Sequence, residues 1–176
     1  QLLSLTICPK CYYFTSNHDP IQVISLEIPD NSQSIYDCLK HYTQKVVLDE
    51  ENKWKCDQCS EKVNSHNKTL FFKTSDVLIF LLKRYTKFKK INRFIRYPIH
   101  LDLKEFNKNY GTNKGNIYKL TGFCIHGGSL GGGHYRAVCR NNYDRKWYEY
   151  NDTSVNEIET TEVMKYIPYL FFYKRI

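Results

Sequence analysis

No apolar run in the 176 residues reaches the length of a membrane span. The opening QLLSLTICPK has no charged n-region, no long apolar stretch and no small-residue cleavage site. The sequence therefore reads as soluble, with no membrane partner and no visible address. Internal repeats and low-complexity linkers are missing too, and 176 residues make one domain, or a large part of one. An even cysteine count is also lacking: seven cysteines cannot all pair, which excludes a complete disulfide framework. Aromatics, by contrast, are plentiful at 15%, with fifteen Tyr and ten Phe, enough apolar surface for a core and too much for a disordered chain.

The net charge of +8 comes from Lys spread along the whole chain, beside abundant Asn, a compositional bias rather than a designed field. The densest basic segment, RYTKFKKINRFIR, holds six Lys or Arg among aromatics. A nucleic-acid surface can look like this, and so can a solvated hairpin on a Lys-rich protein. No nucleic-acid motif accompanies it, which favours the hairpin and argues against a nucleic-acid partner.

In IQVISLEIPD, Ile24, Leu26 and Ile28 alternate on one face, a half-buried strand stopped at Pro29-Asp30. SIYDCLKHYTQKVV places Ile35, Leu39, Tyr42 and Val46 at helical spacing, with Ser34 and Asp37 as a helix start. Val77 to Leu82 is a continuous apolar run of strand length, expected to be buried on both faces. RYPIHLDL, YKLTGFCIH, HYRAVC, KWYEYN and YLFFYK read as short strands, and NKNYGTNKGN as a surface loop. A mixed, mainly antiparallel α+β architecture with few helices follows.

Cys8-Pro-Lys-Cys11 and Cys56-Asp-Gln-Cys59 each form a tight turn aiming two thiolates at one point. Two such turns complete a tetrahedral sulfur site suited to zinc. The 44 intervening residues exceed the usual ribbon spacing, but they contain a strand, a helix and a return. A thioredoxin-like redox role is the rival reading, and the βαβ context it needs is missing. Four thiolates leave no open coordination position, so the metal is expected to be structural, in a reducing compartment. Cys38, Cys124 and Cys139 read as small buried hydrophobes.

Five glycines occupy residues 127–133, directly before His134. Gly131, Gly132 and Gly133 permit positive φ and the close approach of another backbone, as a channel for an extended peptide requires. His134 then starts an alternating strand. Seventeen residues later an aromatic strand delivers Asn151-Asp152. A hairpin would set that end beside His134, where Asn151 or Asp152 can accept from one ring nitrogen and leave the other as a base. Neither Cys124 nor Cys139 is placed to be the nucleophile, since Cys139 falls on the strand face opposite His134. A glycine-rich turn with an incidental histidine is the bland alternative.

Eight segments in order, CPKC, SIYDCLKHY, WKCDQC, VLIFLLKRY, RYPIHLDL, YKLTGFCIHGGSLGGGHYRAVC, KWYEYND and YLFFYKR, are similar to those of the ubiquitin-specific proteases. The resemblance covers nearly the whole chain. It implies part of a papain-like cysteine protease fold, with β fingers at about 1–75 and a palm at about 76–176. It implies a deubiquitinase whose catalytic histidine is His134, oriented by Asn151 and assisted by Asp152. By the same resemblance, Cys8, Cys11, Cys56 and Cys59 hold structural Zn2+ at the tip of fingers that grip ubiquitin. GGSLGG matches a loop over the ubiquitin tail, which Gly131, Gly132, Gly133 and Tyr135 would contact; YTKFKKINRF matches a second such loop, and His126 lines the tail channel. An intracellular setting, cytoplasm or nucleus, goes with the family.

The family's Gly-Asn-Thr-Cys-Tyr-like nucleophile segment and its helical thumb lobe are not found in these residues. Two expectations follow. Either the nucleophilic Cys belongs to an N-terminal lobe outside this chain, which alone would be inactive, or the chain is a noncatalytic ubiquitin-binding module. A glycine-cleared histidine with a tautomer-fixing Asn favours the first.

Overall fold

The computed structural model describes residues 1–48, 50–87, 89–106, 115–129 and 131–176. In chain order its elements are β1 (Leu2–Ile7), β2 (Phe14–Asp19), β3 (Val23–Leu26), α1 (Ile35–Thr43), β4 (Val46–Val47) and a 3-10 turn (Glu50–Asn52). Then come β5 (Trp54–Lys55), β6 (Lys62–Val63), β7 (His66–Phe71), β8 (Val77–Leu82), β9 (His100–Asp102) and β10 (Ile117–Ser129). The chain closes with β11 (Gly132–Arg140), β12 (Trp147–Asn151), β13 (Ser154–Ile158), α2 (Thr160–Val163) and β14 (Pro168–Arg175). Most of the predicted loop NKNYGTNKGN lies outside the described residues.

A small antiparallel sheet runs β2-β1-β7-β4, and β5-β6 form a separate short ribbon. The large sheet runs β13-β12-β11-β10-β14-β8-β3, with β9 also on β10. All its pairings are antiparallel except β3 on β8. Sheet membership does not follow chain order: β3 and α1 come from the first half yet pack with the large sheet, contributing Ile24, Leu26, Ile35 and Leu39 to its core.

Helix α1 starts where Ser34 and Asp37 predict it. The Asp37 carboxylate accepts from the Gln33 and Ser34 N–H groups at 3.0 and 2.9 Å, and Ser34 Oγ accepts from the Asp37 N–H at 3.4 Å. Those donors, Gln33 first, hold the Asp37 pKa below its usual value. The helix ends earlier than its apolar spacing predicts. Thr43 Oγ1 donates back to the Leu39 carbonyl at 2.9 Å, Gln44 is extended, and Val46 pairs with Asn67 as an exposed strand residue. Two adjacent β-branched valines fit a strand edge better than a fourth helical turn.

Strand β8 also departs from expectation. Leu78, Phe80 and Leu82 are buried, while Ile79 and Leu81 are only partly so and Val77 is exposed. One face of the sheet carries the core, the other is partly open.

The central strand β10 changes parity midway. Tyr118 and Leu120 are buried, then Phe123 and Ile125, because the register against β14 shifts between Leu120 and Gly122. A bulge of this kind moves every later side chain to the opposite face. Gly122 suits the spot, since a Cβ there would lie 3.0 Å from the Val138 carbonyl and 3.1 Å from the Cys139 sulfur. Without the bulge His126 would face the core.

Candidate functional site

The β10–β11 hairpin pairs His126 with Tyr135, Gly127 with His134, Gly128 with Gly133 and Ser129 with Gly132. Adjacent residues on a strand alternate faces. His126, Gly133 and Tyr135 therefore share one face, and Gly127, Gly132 and His134 the other. On β12, Ala137 pairs with Tyr150, which makes Asn151 a diagonal neighbour of His134 on that second face. The structure joins them: His134 Nε2 lies 2.6 Å from Asn151 Oδ1. Asn151 closes β12 against Ser154, and Asp152 takes the left-handed conformation (φ 51°) in the tight turn between them. Its carboxylate is 3.7 Å from His134 Nε2 and mostly exposed, a weaker contact than that of Asn151.

An amide oxygen only accepts, so its bond fixes the proton on Nε2 and leaves Nδ1 as the basic nitrogen. His134 is half exposed at the end of the sheet. A side chain at Gly132 would meet nothing within 4 Å, so the surface beside His134 is bare for reasons outside the chain's own packing. Gly133 and Gly128 differ. A Cβ on Gly133 would collide with the Gly127 carbonyl and the His126 ring, and Gly128 has φ 115° with the Gly132 oxygen 2.5 Å from where its Cβ would be.

A cleft of about 370 Å³ is lined by Tyr85, His126, Tyr135 and Tyr169 together with Ser129 and the three glycines 131–133. The His126 ring lies 4.5 Å from the Tyr135 ring and 5.5 Å from that of Tyr85, whose hydroxyl bonds His126 Nδ1. Desolvation, then the Lys90 cation, hold the His126 pKa below the usual imidazole value. Tyr85, Lys90 and Tyr169 were not singled out as site residues from the sequence. The signal for Tyr85 and Lys90 was the segment as a whole, since YTKFKKINRF resembles a second loop over the ubiquitin tail; for Tyr169 there was none.

The four paired cysteines converge at the far end of the small sheet. Cys8 and Cys11 lie in the turn from β1 to β2, Cys56 and Cys59 in the turn from β5 to β6. The two turns are copies. Cys8 N–H donates to Tyr13 O (2.8 Å) and Tyr12 N–H to Cys8 O (3.1 Å); Cys56 N–H donates to Glu61 O (2.9 Å) and Ser60 N–H to Cys56 O (2.8 Å). Tyr12 and Ser60 are both left-handed, with φ 60° and 58°. Pairing of Ile7 with His66 brings the turns together.

All four sulfurs lie within 4.8 Å of one another, with Cys8 to Cys59 at 3.9 Å and Cys11 to Cys56 at 3.6 Å. A tetrahedral zinc–thiolate site has edges of about 3.8 Å. No disulfide competes, since all four are free thiols. The Cys11 N–H pulls the Cys8 pKa down to about 7. Cys11, despite a donor from Tyr13, is pushed up to about 12 by desolvation and the neighbouring sulfurs. A dication relieves that crowding of thiolates. The residues fit a metal ion.

A histidine is thus hydrogen-bonded to an asparagine on the neighbouring strand of the large sheet, and four cysteines that could hold a metal ion stand apart from them, in the turns β1–β2 and β5–β6. The family model described as "Ubiquitin carboxyl-terminal hydrolase" matches residues 25–173. Ubiquitin carboxyl-terminal hydrolase 2 of Gallus gallus is 30% identical over 99% of this chain and 50% of its own length. Ubiquitin carboxyl-terminal hydrolase 10 of Arabidopsis thaliana is 33% identical over 82% of this chain and 16% of its own length. The SAGA Ubp8/Sgf11/Sus1/Sgf73 DUB module bound to ubiquitin aldehyde contains a chain that superposes with a TM-score of 0.88 at 29% identity, over 99% of this chain and 40% of that one. The chain belongs to the ubiquitin carboxyl-terminal hydrolase family and shares its mainly β, papain-like fold. It spans half or less of the length of these relatives. No helix among the described residues is long and apolar enough to cross a membrane.

Proposed function

We propose that these residues are the fingers (about 1–75) and palm (about 76–176) of a deubiquitinase catalytic domain. The parent protein hydrolyses the peptide or isopeptide bond after the C-terminal glycine of ubiquitin, through a nucleophilic cysteine supplied from outside this chain. The observation that carries the reading is the 2.6 Å hydrogen bond between His134 Nε2 and Asn151 Oδ1. With Nε2 committed to Asn151, Nδ1 takes the thiol proton as the cysteine attacks. It then returns the proton to the departing lysine amine, and water hydrolyses the thioester with the same nitrogen as base.

None of the seven cysteines suits the nucleophile's part. Four belong to the sulfur cluster and Cys38 is fully buried. Cys124 and Cys139 lie on the hairpin face opposite His134, and burial pushes both thiols up. The cleft lined by His126, Gly131, Gly132, Gly133 and Tyr135 suits an extended diglycine tail, which would pass the bare Gly132 edge to reach His134. Cys8, Cys11, Cys56 and Cys59 hold zinc, which when bound supplies a cross-link and no open position for chemistry.

An electrophilic ubiquitin probe tests this reading. The parent protein should be labelled, and the 176-residue chain left untouched. Labelling of this chain alone would show that the nucleophile is within it. A parent that binds ubiquitin but is never labelled would sink the hydrolase reading in favour of a noncatalytic ubiquitin-binding module.

A further inference from the structure

Tyr85 lines the cleft opposite the hairpin, and Arg84, Tyr85 and Lys90 line the adjoining pocket; the chain on either side of Tyr85 is held by its own bonds. Tyr85 and Lys90 form an isolated antiparallel bridge, Thr86 N–H donates to Lys89 O at 3.0 Å, and Ile91 N–H donates to Arg84 O at 2.7 Å. The root of this bridge is fixed from beneath. The buried Arg84 guanidinium donates to the carbonyls of Pro168 (2.6 Å), Ile91 (3.1 Å) and Arg93 (2.8 Å).

The hairpin, in turn, lacks a neighbour along part of one edge. Strand β14 accompanies β10 only as far as Ile125 opposite Pro168. Proline has no N–H, and no β14 residue pairs with β10 beyond that point. Carbonyls of alternate strand residues point to the same side, so those of His126 and Gly128 both face the edge that β14 has left. Lys90 Nζ reaches both, at 2.6 and 3.1 Å. The ammonium also lies 6.0 Å from the Tyr85 ring centre, while Tyr85 holds the His126 ring through its hydroxyl.

We propose that Lys90 is the positioning residue of the cleft. Its ammonium continues the hydrogen-bond ladder where β14 stops, and so sets the spacing between the Tyr85–Lys90 bridge and the glycine hairpin. A charged donor shared by two backbone carbonyls is stronger than the neutral ladder bonds it replaces. The spacing does not depend on the deubiquitinase reading; its use in holding a ubiquitin tail rests on it. Around His126 the titratable and charged groups are Lys90, Arg84, Tyr85, Tyr135 and Tyr169, and no carboxylate is among the described residues lining the cleft or the adjoining pocket.

The test compares wild type with Lys90→Met, which keeps the side chain's length without its donors, and with Lys90→Arg, which keeps a charged donor. Hydrogen exchange across 126–133 should quicken about tenfold or more in Lys90→Met, with β1, β7 and β8 unchanged. His126 should titrate at higher pH in that variant, because a neighbouring cation has gone, and Lys90→Arg should restore both readouts towards wild type. Unchanged hairpin exchange in Lys90→Met, or faster exchange throughout the molecule, would overturn the proposal. Ubiquitin binding is measured alongside. If wild type binds no ubiquitin while Lys90→Met still loosens the hairpin, the deubiquitinase reading fails and the positioning role stands.

Discussion

In the proposed reaction the chemistry at His134 is set by which neighbour holds Nε2. Asn151 is the nearer, at 2.6 Å, and its amide oxygen cannot take the proton away. The Asp152 carboxylate sits at 3.7 Å with most of its surface in water, where an ion pair is worth little. The two positions should therefore separate on mutation. Asn151→Ala is expected to slow ubiquitin-amide hydrolysis by the parent protein about 100-fold or more, the scale of a lost general base. Asp152→Ala should cost less than about fivefold, as an exposed pair does. Equal losses, measured as kcat with folding checked by circular dichroism, would mean that the carboxylate shares the orienting role. The glycines, too, part company at this scale. The sequence presents 131 to 133 as one run, but Gly133 is needed by the His126 ring and Gly128 by its own φ, whereas a side chain at Gly131 or Gly132 would meet nothing within 4 Å, and of these two Gly132 shares the face of His134. Residue identity alone carries no such division, because it depends on which face each Cβ takes.

Among the elements, α1 offers a sharp check of local electrostatics. Asp37 is held below its usual pKa by the Gln33 and Ser34 donors at the helix start. A depressed carboxylate stabilises the fold above its unfolded value, about 3.9, and that contribution disappears as pH falls through the lower folded value. Asp37→Asn should cost about 0.5–1 kcal/mol at pH 7. The gap to wild type in urea unfolding should close below about pH 4. A gap independent of pH would show that the side chain's shape, and not its charge, makes the cap. This cap was legible because it is local: Ser34 and Asp37 are three residues apart. The pairing of β1 with β7 and the bulge in β10 were not, since both are decided by strands distant in sequence. Gly122 was the sole local trace of the bulge, and a lone glycine in a strand pattern marks a bulge or a close approach without saying which. The same reasoning explains Val46. Its helical spacing was real, but a distant strand, β7, was available to pair with it.

Over the whole molecule the two cores are separate, and that separation makes the metal's role measurable. Cys8, Cys56 and Val63 form one buried cluster with Tyr13, Trp54 and Cys59 packed on it. The other holds residues of β3, α1, β8, β10 and β14. The order of the cysteine pairs and of the His134 and Asn151 segments was readable along the sequence, because each is a short motif, and YTKFKKINRF was readable as a second loop; the contacts of Tyr85 and Lys90 with the hairpin were not, since they form only after the chain has folded. The sulfur cluster buries only Cys8, Cys56 and Val63, so the proposed metal would couple its binding to local folding there. Removing the metal with a strong chelator should speed hydrogen exchange in the turns at Cys8–Tyr13 and Cys56–Glu61 and along β5 and β6, while β8, β10 and β14 keep their protection. Cys8→Ser and Cys59→Ser should each abolish stoichiometric zinc and give the same local pattern. If zinc content survives either substitution, the four thiolates are not its ligands. If chelation melts the large sheet as well, the two cores are one cooperative unit, and the fingers and palm do not fold as distinct parts.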